Sequence, residues 1–207
     1  MSVIVPDKLI NHITDWVRFQ LKTSHKDVLI VPFMGNRIES NLISYLCIHY
    51  NINHKLVLCN LEEDVYDATK FAEVTNGLVA GILNRCDISL LRAYHKYGLA
   101  LADIFPLADL YYSELVELVA HVGAENTAAP PIFRAGLNYS LLEWADRENN
   151  YSKIIFNEEM PNKVKFWFRY TKPQKEIVSY LHQTEKRTRH KQIHAPVCDV
   201  RCTGFVQ

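Results

Sequence analysis

The chain has 207 residues, 48% of them apolar, enough to bury the core of one α/β domain. Its 23 basic and 23 acidic residues cancel, so no overall field points to nucleic acid or a membrane surface as a partner. No run approaches the roughly 18 consecutive apolar residues of a membrane span, the first residues lack a secretory pattern, and five scattered cysteines make no disulfide framework. A cytoplasmic protein with reduced thiols is expected.

Pro6 and Asp7 open an amphipathic helix with Ile10, Ile13, Trp16 and Val17 on one face. Residues 28–31 form an apolar run of the length of a buried parallel strand, followed by a loop from Pro32 through Arg37. From Ser40 the periodicity turns helical, with Leu42, Ile43, Leu46 and Cys47 on one side. Residues 55–59 read as a second strand, 64–74 as a short helix and 78–83 as a third strand. Such alternation predicts an α/β fold: an open parallel sheet with helices on both faces.

The second half is more helical. Ser113 is the expected N-cap of a helix carrying Leu115, Leu118, Val119 and Val122, closed by Gly123. Residues 128–131, Ala-Ala-Pro-Pro, mark a loop. Ser140 with Glu143, and Thr171 with Gln174, fit the spacing of capping boxes, and a last helix should run from Pro173 to about Lys191. No repeat or break in composition divides the chain, so residues 1–207 read as one domain.

In an open parallel sheet, ligands bind beyond the carboxyl ends of the strands. That rule points to residues 32–40 and to the segment after Leu83. Three other groupings each allow two readings. The basic run Lys186, Arg187, Arg189, His190, Lys191 is either a solvated helix end or an anion site. His190, His194, Cys198 and Cys202 recur every fourth residue as zinc-type ligands would on a helix, but Pro196 interrupts them. Phe166, Trp167, Phe168 and Tyr170 could stack a base or fill a core.

Asn84-x-x-Asp87, then Lys96-Tyr97-Gly98, then Ala102-Asp103-Ile104-Phe105-Pro106-Leu107 followed by the helix from Ser113, form one extended pattern. It resembles the core signature of the ammonia-dependent NAD synthetases, whose fold is of the adenine-nucleotide alpha-hydrolase type. The resemblance covers residues 10–123 and 174–191 best. It implies ATP-dependent amidation of deamido-NAD by ammonia to give NAD, with ATP and Mg²⁺ as cofactors and a homodimer as the working form. Carried over by position, Lys96, Asp103, His190 and Lys191 would contact deamido-NAD.

The same resemblance places the ATP phosphate loop at Gly35-Asn36-Arg37-Ile38-Glu39-Ser40. The family pattern there is Ser-Gly-Gly-x-Asp-Ser, so Glu39 and Ser40 keep the acid and the hydroxyl while Asn36 and Arg37 replace both glycines. Loop glycines let backbone N–H groups converge on phosphate, and Arg37 would fill part of that space or pair with the phosphate itself. Glu39 and Asp87 are the expected metal ligands; the position just after Asp87 is Ile88, and a family lysine corresponds to Tyr112. Two functions therefore stand open: a divergent NAD synthetase with a rebuilt ATP site, or an inactive homologue that binds NAD or deamido-NAD as a sensor or sequestering protein.

Overall fold

The computed structural model describes residues 5–33, 37–59, 65–90, 102–123, 139–149, 170–188 and 197–205. The first helix, α1 (Pro6–Thr23), starts with a proline whose missing N–H costs nothing in the first turn. It buries Leu9, Ile10, Ile13, Thr14, Val17 and Leu21, a stripe at helical spacing. Strand β1 (Val28–Phe33) follows and is buried along nearly its whole length.

After β1 come α2 (Ile38–His49), β2 (His54–Leu58), α3 (Val65–Thr75) and the three-residue strand β3 (Gly77–Val79). The sheet order is β2-β1-β3, all parallel, with Leu29 to Phe33 paired to β2 and Val28 to Ile30 paired to β3. Strand order reverses between β1 and β3, and right-handed crossovers then force α2 and α3 onto opposite faces. The core shows this directly. Leu29 and Val31 pack with α1 and α2, while Val28 and Ile30 pack with Ala68 and Ala72 of α3. Alternate residues of one strand thus feed two separate cores.

The expected third strand over 78–83 is shorter than its apolar run. It pairs with β1 only through Val79, and then Ala80 bridges in parallel to Ile104, which extends the sheet on that side. Phe105 in turn bridges to Val197. Gly81 is required at the crossing: a Cβ there would lie 2.0 Å from the Phe105 ring.

The other helices are α4 (Tyr112–Val122), α5 (Tyr139–Asn149) and α6 (Lys172–Thr188). Gly123 closes α4 with φ +67°, as expected. Ser113 is not its cap. The helix begins one residue earlier, and Glu114 reaches back to the Tyr111 N–H at 2.8 Å. Ser113 instead donates its N–H and hydroxyl to Glu143, at 2.9 and 2.6 Å. That contact also removes the expected capping box at Ser140, which lies within α5. The Thr171–Gln174 box is present, with the Thr171 N–H 2.8 Å from the Gln174 carbonyl. No described helix is long and apolar enough to cross a membrane.

Candidate functional site

The carboxyl ends of β1 and β3 flank the point where strand order reverses, the place where an open α/β sheet forms a ligand crevice. Two short segments meet there. One is the start of α2, with Arg37 as its N-cap residue and Glu39 and Ser40 in its first turn. The helix starts at Ile38, two residues before the expected Ser40. Among the first-turn residues, the hydroxyl of Ser40 donates to the Arg37 carbonyl at 3.0 Å. The other segment is residues 84–87 after β3, leading into a π-helical turn, Cys86–Leu90.

Arg37 joins the two segments. Its Nε donates to Glu39 Oε2 at 3.2 Å, and its Nη2 donates to Asp87 Oδ2 at 3.2 Å and to the Ile82 carbonyl at 3.0 Å. Asn84 completes the group by donating Nδ2 to Glu39 Oε1 at 2.7 Å, while its side-chain carbonyl accepts the Asp87 N–H. Side-chain exposure is 2% for Arg37, 0% for Glu39 and 1% for Asp87. One guanidinium therefore serves two carboxylates in a space closed to water.

Burial pushes the Glu39 carboxyl above its ordinary range; the Arg37 charge and the Asn84 hydrogen bond pull it back, and Asp87 pushes it further up. Proton uptake by Glu39 would leave a neutral Arg37–Asp87 pair, the composition that a dry site tolerates best. Tyr112, at the start of α4, borders the group. Its phenol is raised by partial burial and by the Glu39 charge.

A divalent metal does not fit this arrangement. Mg²⁺ needs near-octahedral oxygen ligands at about 2.0–2.1 Å, and the guanidinium already sits between the two expected ligands. Ile88 lies in the core with Phe105 and Ala108, so it adds no ligand. Among the described residues no cluster of three or more His, Cys, Asp or Glu could hold a metal ion.

The expected dinucleotide contacts fare less evenly. Asp103 is exposed at the carboxyl end of β3, where its Oδ2 accepts the Val79 N–H at 2.7 Å. It thus ties the chain at 103 to the end of β3. Gly35, Asn36, Lys96, His190 and Lys191 lie outside the described residues. So do Phe166, Trp167, Phe168 and His194; Tyr170 packs edge-to-face on Trp144 at 4.9 Å. Cys198 is buried, its thiol pushed up to about 12 chiefly by burial, and Cys202 is exposed.

No protein-family model and no curated protein matches the sequence. Solved structures do match. The fold is NAD synthetase-like. The NH3-dependent NAD synthetase of Campylobacter jejuni, solved with a nitrate ion, superposes with a TM-score of 0.56 at 14% identity, covering 91% of this chain and 97% of that one. The NMN synthetase of Francisella tularensis gives 0.58 at 14% identity, covering 92% and 97%. The NAD+ synthetase of Burkholderia pseudomallei gives 0.53 at 12% identity, covering 89% of each. At these identities the likeness is one of fold.

Sequence reasoning did not foresee the closed ion group as such. A usable signal existed in the Asn84–Asp87 spacing, since residues three apart face the same side of a turn. Nothing local to residue 37 announced that its side chain would turn inward.

Proposed function

We propose that this chain is an NAD synthetase-like protein that binds a nicotinamide-type dinucleotide, NAD or deamido-NAD, without carrying out ATP-dependent amidation. The observation that carries this reading is the Arg37 guanidinium held between Glu39 and Asp87. A covalently tethered cation there fills the space between the two residues that would hold a metal, and it cannot exchange. Phosphoryl and adenylyl chemistry depends on metal ions that neutralise charge as it develops on phosphate oxygens. A guanidinium already committed to two carboxylates has little left to offer that charge.

The dinucleotide side rests on the fold and on the expected contacts Lys96, Asp103, His190 and Lys191. Asp103, an exposed residue beside the carboxyl end of β3, supports it. The protein would act as a sensor or sequestering protein, working as a homodimer in the cytoplasm. Calorimetric titration with deamido-NAD and NAD, beside an amidation assay with ammonia and Mg-ATP, tests the proposal. Dinucleotide binding without NAD formation is expected. Formation of NAD that Glu39→Gln abolishes would overturn it in favour of a divergent synthetase.

A further inference from the structure

The turn at 84–87 belongs to two ionic groups at once. Asn84 and Asp87 face Arg37 and Glu39, as described. Arg85 faces away. Its Nη1 pairs with Asp109, its Nε donates to Asp146 Oδ2 at 3.1 Å, and its own N–H donates to the Leu110 carbonyl at 2.8 Å. Burial opposes the Arg85 charge, but Asp146 and Asp109 outweigh it and hold the guanidinium proton more tightly than usual.

Asp109 is gripped in turn by the C-terminal segment 197–205. Its Oδ2 accepts the N–H groups of Val200 and Arg201, both at 3.1 Å, and Arg201 Nε lies 3.7 Å from its other oxygen. Arg201 Nη2 donates to Glu114 Oε2 at 2.8 Å, while Arg147 donates to Glu114 Oε1 at 3.1 Å. The Tyr111 ring lies between these two guanidiniums, 4.4 Å from each, and its hydroxyl donates to Asp146 at 2.6 Å. Cations over the aromatic ring and a carboxylate at its hydroxyl tie these groups together.

The C-terminal segment has its own anchors. Val197 bridges to Phe105 at the sheet edge, Cys198 and Val200 are fully buried, and Phe205 accepts the Val5 N–H at 3.0 Å. A segment fixed independently can act as the reference against which Asp109, and through it Arg85, is set.

We infer that residues 197–205 position the candidate site, with Arg201 and Asp109 as positioning residues that act on the 84–87 turn through Arg85. Loss of the Arg201 side chain removes its pairing with Asp109 and Glu114, so Asp109 is held against Arg85 only by the Val200 and Arg201 N–H groups. The turn then loosens, and with it the Asn84 and Asp87 side chains that hold Glu39 and Arg37. The inference concerns the geometry of the site and holds whichever ligand the crevice takes.

Hydrogen exchange on the full chain tests it by comparing wild type with Arg201→Gln, Arg201→Lys and Phe205→Ala. The amides of Arg85, Asp87 and Ile88, bonded to Leu110 O, Asn84 Oδ1 and Asn84 O, should exchange about tenfold faster in Arg201→Gln. Amides of β1 should keep their wild-type rates. Lysine can reach Asp109 or Glu114 but not bridge both, so Arg201→Lys should fall between and serves as the measurement should the glutamine variant not fold. Phe205→Ala, which keeps the backbone bond to Val5 and does not touch the ionic group, should leave 85–88 unchanged. The inference is overturned if 85–88 keep wild-type rates while 197–203 speed up. It is overturned equally if every amide, β1 included, speeds up alike.

Discussion

Arg37→Met is the perturbation with the largest calculable consequence. Methionine keeps much of the apolar stem and deletes the charge, leaving Glu39 and Asp87 facing each other with no cation between them. Removing one partner of a buried ion group costs about 3–5 kcal/mol, against a total stability of about 5–15 kcal/mol for a domain. Proton uptake is the only local relief, so the cost must depend on pH. Burial already raises Glu39, and loss of Arg37 removes the main influence that lowers it. A raised carboxyl stabilises the fold fully below its unfolded pKa of about 4.3, and that contribution is lost as pH rises through the folded value. The variant should therefore be far weaker than wild type in urea denaturation at pH 8, with the gap narrowing towards pH 5. A variant within about 0.5 kcal/mol of wild type at pH 8, with no such narrowing, would refute the reasoning.

Glu39→Gln keeps the shape but swaps one acceptor for a donor facing Arg37 or Asn84, so it should cost about 1–2 kcal/mol. It should also remove the part of wild-type stability that falls as pH rises through the raised Glu39 pKa, measured by urea denaturation across pH 4–8. Arg37→Gly should open a cation site between the two carboxylates, so Mn²⁺ at ten times its Kd should add about 1.4 kcal/mol. A thermal shift with Mn²⁺ in that variant but not in wild type checks this. Gly81→Ala should lose about 1–3 kcal/mol because its Cβ would overlap the Phe105 ring, measured by chemical denaturation at neutral pH.

Much of the fold was legible from periodicity. Ile10, Ile13 and Val17 of the α1 stripe, Val28 to Val31 of β1 and the Leu42, Ile43, Leu46, Cys47 face of α2 are buried as the pattern implied, with Trp16 partly so. What escaped were contacts made across the chain. Ser113 has the residue type of an N-cap, but Glu143, thirty positions on, claims its hydroxyl and N–H. Hydrogen bonds of that reach leave no local mark. The apolar run 78–83 reads as one strand because burial sets its composition; its last bond to β1 is the Ala80 N–H to the Ile30 carbonyl, while the Gly81 N–H turns to the Ile104 carbonyl on the other side. At the site, the replaced loop glycines were visible, but not that Arg37 would fold inward onto Glu39 and Asp87. That direction depends on the Ile82 carbonyl and Asp87, 45 and 50 positions away.

The central claim is that a built-in guanidinium holds the place of the nucleotide's metal. Calorimetric titration of the wild-type protein with Mg-ATP tests it most directly. The account predicts no heat of binding at this crevice, with deamido-NAD or NAD binding in a parallel titration. Saturable Mg-ATP binding that requires the metal and disappears in Asp87→Asn would contradict it.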